Sequence, residues 1–155
     1  MNKVTYIRKR PYEIPIKMAN LHELFCKGRK KMTYTNNARD NAYRAIPHLV
    51  YYAHLEETIT YGKLGRRIGI HHRPVRFLLG YIRDEICSKR GLPLLNVIVV
   101  KKSTGLPGES FLQGGTSHLT DEEYKRRFEE LRDQVFAYTG WDTLLRDLNL
   151  TPVND

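Results

Sequence analysis

Thr60-Tyr61-Gly62-Lys63-Leu64-Gly65-Arg66-Arg67-Ile68-Gly69-Ile70-His71-His72-Arg73-Pro74-Val75-Arg76-Phe77-Leu78-Leu79-Gly80-Tyr81-Ile82-Arg83 reads as a helix, a tight turn and a second helix. The Thr60 hydroxyl is suited to accept a free N–H of the first turn, so a short helix is predicted over 61–68. Gly69 supplies the left-handed residue that ends such a helix. Ile70 to Arg73 make the turn. Pro74 suits the first position of the next helix, where its missing N–H costs nothing. That helix is predicted to run to about Lys89, with Val75, Leu78, Leu79, Ile82 and Ile86 as its buried stripe and Gly91 beyond its end.

Upstream, Ala42, Ile46, Leu49, Val50 and Ala53 recur at helical spacing. They predict a support helix from Asn36 or Asn37 to about Glu57, kinked or split at Pro47. Downstream, residues 94–100 predict a buried strand, Ser103-Thr104-Gly105 a turn and residues 108–111 a returning strand, together a two-stranded wing. Gly114-Gly115 is a hinge. Thr120-Asp121-Glu122-Glu123 is a capping box that opens a helix to about Tyr138, and residues 141–150 form a last short helix docked on the core. The expected class is α+β, mainly helical: a winged helix-turn-helix core over 36–114, a basic N-terminal arm over 1–35 and a C-terminal helical extension over 115–155 packed on the core. Within the arm, Lys27-Gly28-Arg29-Lys30-Lys31 is a basic run.

The chain has 155 residues, with 41% hydrophobic and 28% charged, an ordinary globular balance. Its two cysteines, Cys26 and Cys87, form neither a disulfide framework nor a zinc motif, which suits a reducing compartment. No apolar run follows the first charges and none is long enough to span a bilayer, so a cytoplasmic location without membrane partner is expected, nucleoid-associated if the chain is bacterial or phage-encoded. Lys and Arg number 26 against 17 Asp and Glu, a net charge of +9. Residues 1–90 hold 19 of those cations and seven of the acids. Such polarity favours a polyanionic partner on one face, and duplex DNA is the expected one.

With the stripe inward, Arg73, Arg76, Phe77, Gly80, Tyr81 and Arg83 fall on or near the other side of the second helix, where arginines reach phosphates or guanine edges. The expected DNA-contacting set is these six with Tyr61, Lys63, Arg66, Arg67, His71, His72, Lys101 and Lys102. No metal or cofactor is expected. His71 and His72 lack the further ligands a zinc site needs.

Residues 58–114 resemble the winged-helix domain of the alkylguanine-DNA alkyltransferase family, including its catalytically inactive alkyltransferase-like members. The likeness rests on Ile59-Thr60-Tyr61-Gly62-Lys63-Leu64, Arg67-Ile68-Gly69, the arginine-bearing second helix, Leu92-Pro93-Leu94-Leu95, Val99-Val100-Lys101, Thr104-Gly105 and the return from Gly108 to Phe111. It implies a DNA-binding scaffold whose inserted "finger" arginine corresponds to Arg73 or Arg76. The family's nucleophilic cysteine aligns with Asn96, its histidine with Val97 and its arginine with Ile98, so the likeness argues against alkyl transfer. Two other roles compete with plain DNA binding. A metal-dependent nuclease would draw on Asp84-Glu85, Glu109 and Lys101-Lys102. A protein-interaction module would dock through the C-terminal helix, from Asp121 to Arg132.

Overall fold

The computed structural model describes residues 33–154. Thr35 accepts the Ala38 N–H at 3.1 Å and opens helix α1, Asn36–His54. One continuous helix runs through Pro47, so the proline does not split it. Proline removes a single ladder bond there, and its ring is buried in the core. Strand β1, Ile59–Thr60, leads directly into α2, Tyr61–Ile68, with Thr60 accepting the Lys63 N–H at 3.2 Å. Gly69 ends α2 at φ 74°, and Ile70 N–H reaches the Gly65 carbonyl at 2.9 Å. That pair of features is the glycine termination read from the sequence.

Helix α3, Val75–Tyr81, continues into a π-helical segment, Ile82–Ser88. Val75, Leu78, Leu79, Ile82 and Ile86 are all buried, as their spacing predicts. A 3-10 turn, Leu95–Ile98, then precedes strand β2, Val99–Val100. The expected strand over 94–100 is thus mostly a turn of helix. β2 pairs in parallel with β1, Ile59 opposite Val99 and Thr60 opposite Val100. The two-stranded wing with 108–111 is not what these residues build: Phe111 N–H bonds the Gly108 carbonyl at 3.0 Å, closing a turn. The buried β2 takes β1 as its partner, while the backbone of 108–111 turns and gives its Ser110 and Phe111 carbonyls to the Arg83 and Asn96 side chains. The Lys101–Leu106 turn does form, with Gly105 at φ 67°.

Helix α4, Asp121–Ala137, carries the complete capping box of Thr120 and Glu123. Helix α5, Trp141–Asp147, follows. The core is one cluster in which Ile46, Leu49, Leu64, Leu78, Leu95 and Ile98 share their surroundings with Phe128, Val135, Trp141 and Leu145.

Candidate nucleic-acid interface

Between Thr58 and Arg83 the chain has no Asp or Glu and six Lys or Arg. The turn between α2 and α3 and the outer sides of both helices therefore carry cations without internal acids. Lys63, Arg66, His71, His72, Arg73, Arg76 and Phe77 are exposed there. The His71 and His72 rings lie 4.1 Å apart, and His71 Nδ1 accepts the Arg73 N–H at 3.3 Å. The Arg76 guanidinium sits 4.6 Å over the Phe77 ring. Lys63 and Arg67 both flank the buried Tyr52 ring, at 5.1 and 5.4 Å, and Arg67 Nη2 donates to the Tyr52 hydroxyl at 3.2 Å. Lys101 and Lys102 are exposed just past β2, and the register sets them beside the first turn of α2.

Besides Arg67, which holds the Tyr52 hydroxyl, four of the expected contact residues are engaged inside the protein. Arg83 is only 6% exposed, not on the outer side. Its Nε and Nη2 hold Asp84 at 2.6 and 2.8 Å, while Nη1 donates to the Ser110 carbonyl. Burial alone would lower this guanidinium, and the Asp84 carboxylate reverses that, so its pKa is raised. Arg83 follows Leu79 by four residues and so flanks the buried stripe, where Asp84 and the Ser110 carbonyl hold its guanidinium. Gly80 faces Tyr34: a Cβ there would stand 3.2 Å from that ring. Tyr81 is half-buried in a cluster, edge-on to Tyr34 at 5.5 Å and tilted to Tyr43 at 6.2 Å. Tyr61 is half-buried, accepts the Gly108 N–H at 3.0 Å and has its phenol raised by burial.

Tyr61, Arg76, Leu79, Gly80, Asn96, Ser110 and Phe111 line one shallow dent in the surface. Sequence reasoning marked Asn96 only as the place of a missing nucleophile, and it passed over Tyr34 altogether. Asn96 is 4% exposed; its Nδ2 donates to the Phe111 carbonyl at 3.1 Å, and its Oδ1 is buried without a hydrogen-bond partner. Tyr34 donates to Asp84 and has its phenol raised, first by its own burial and then by that carboxylate. Nothing local marks either residue: both act through partners at least 15 positions away.

The nuclease candidates are dispersed. Asp84 is held by Arg83 and Tyr34, Glu85 pairs with Lys89, and Glu109 lies exposed in the loop. Among the described residues no three His, Cys, Asp or Glu side chains group as a metal would require. Cys87 is fully buried, and burial pushes its thiol up to about 12. Cys26 and the basic run at 27–31 lie outside the described residues. On α4, Phe128, Leu131 and Val135 face the core, and the outer side carries pairs such as Arg127 with Glu130. No helix among the described residues is long and apolar enough to cross a membrane. Comparison with protein-family models, curated proteins and solved structures finds no match to the chain.

Proposed function

We infer that the protein is a non-catalytic binder of duplex DNA, with α3 as its recognition helix and the 101–111 loop standing where a winged helix carries its wing. The observation that carries this reading is the acid-free stretch from Thr58 to Arg83, which holds α2, the turn and α3. Six exposed cations, Lys63, Arg66, Arg73, Arg76, Lys101 and Lys102, sit on or beside it. Clustered cations mounted on rigid helices suit phosphate contact, and arginines on a helix that fits the major groove can also reach base edges. The resemblance read from residues 58–114 of the sequence to alkyltransferase-like proteins points the same way. Asn96, aligned with their nucleophile position, lines the dent beside Tyr61 and Arg76. An amide is no nucleophile, and the buried thiol of Cys87 stays protonated at neutral pH, so binding rather than alkyl transfer is the role that fits.

Fluorescence anisotropy with a labelled duplex tests this. If all six cations meet phosphates, affinity falls about 10³-fold between 50 and 200 mM salt. Arg73→Ala with Arg76→Ala flattens the slope by about two contacts. Affinity that is indifferent to salt would remove the reading. Mass spectrometry after incubation with methylated duplex should find the protein unmodified.

A further inference from the structure

We propose that Phe77 is a stacking wedge, so that the nucleic acid this protein prefers carries a base step already open or easily opened. The proposal rests on the DNA-binding reading and adds the kind of site. Two large apolar side chains are prominently exposed among the described residues, Leu55 at 46% and Phe77 at 48%. Leu55 caps α1 next to Glu56 and Glu57. Phe77 lies under the Arg76 guanidinium and follows the exposed His71, His72 and Arg73 of the turn by four to six residues. Its exposed ring keeps apolar area in water that only a partner can cover.

The chemistry of that partner follows from the neighbours. Arg76 lies over one face of the ring, and a guanidinium can cover only one. The other face takes a flat apolar surface, while Arg76 and the exposed Arg73 stay available to anions nearby. Flat π-surfaces bracketed by phosphates are what nucleic acid presents. In an intact duplex those surfaces are stacked away, so the ring gains contact only where a step is unstacked. A single-base bulge has paid that cost beforehand; a fully paired site has not.

The test uses the full chain and two short duplexes, one fully paired and one with a single-base bulge flanked by 2-aminopurine. The wild type binds the bulged duplex more tightly and changes the 2-aminopurine fluorescence. Phe77→Ala weakens bulge binding roughly 5- to 150-fold, the range for loss of one base–aromatic stack. Its salt slope is unchanged, because no charge is removed. Phe77→Trp retains both affinity and fluorescence response. Thermal melts of both variants stay close to the wild type, since Phe77 is exposed and lies outside the buried core. Phe77→Ala that binds both duplexes like the wild type, with the same fluorescence change, overturns the wedge and leaves DNA binding standing. A wild type that binds neither duplex, or binds polyglutamate equally well, overturns both.

Discussion

Arg76 and Arg83 are the same residue type, seven positions apart, and the protein uses them in opposite ways. Arg76 is exposed and rests on Phe77. Arg83 is buried and ties three elements together through Asp84, Ser110 and, by way of Asp84, Tyr34. Removing one partner of a buried pair leaves the other charge without compensation, at a cost of about 3–5 kcal/mol. Arg83→Ala should therefore lower the unfolding free energy by that order. Arg76→Ala should stay within about 0.5 kcal/mol, as surface changes do. Urea melts of the two variants measure both numbers. A stable Arg83→Ala protein would mean that the Asp84 clamp contributes nothing. Sequence periodicity cannot separate these two arginines, because a buried arginine is legible only through a carboxylate that the fold brings to it.

Elements with local punctuation were legible, and those decided by distant packing were not. Thr60, Gly69 and the Thr120–Glu123 box act within four or five residues, so their bonds are written in adjacent letters. The pairing of β1 with β2 joins residues 40 apart and could not be read that way. The same holds for the π segment and for the passage of α1 through Pro47. Within α2, two glycines make a test of the tight turn. A Cβ on Gly65 would stand 2.7 Å from the Ile70 carbonyl oxygen, which is backbone and cannot step aside. A Cβ on Gly62 would meet only the end of the flexible Arg66 side chain, at 3.6 Å. Alanine is favoured over glycine in a helix by about 1 kcal/mol. Gly62→Ala should thus hold or raise the melting temperature. Gly65→Ala should lower it despite the better propensity, since the turn must open to admit the methyl. Equal melting temperatures for the two variants would show that the close approach is not a constraint.

At the scale of the whole molecule, basic and acidic regions share one core. The 115–155 stretch reads in the sequence as an extension, yet its apolar residues complete the interior beneath α1 and the 3-10 turn. Trp141 is fully buried, donates its indole N–H to the Val135 carbonyl at 3.0 Å and packs edge-on to Tyr138 at 4.7 Å. Phe128, Leu131, Val135, Leu144 and Leu145 fill the same cluster. A chain ending at residue 119 would uncover the apolar sides of α1 and of the 3-10 turn that α4 and α5 pack against. It should not fold cooperatively, although it keeps every residue of the proposed interface. Trp141→Ala is the milder form of the same test. Loss of a buried large aromatic costs about 3–5 kcal/mol, enough to lower the melting temperature markedly while binding per folded molecule stays intact. Circular dichroism melts of the full chain, the truncated chain and Trp141→Ala decide the matter. A truncated chain that melts in one sharp transition would show that the helix-turn-helix stands alone. Retained folding with lost DNA affinity would instead move the interface onto α4 and α5, away from the acid-free stretch.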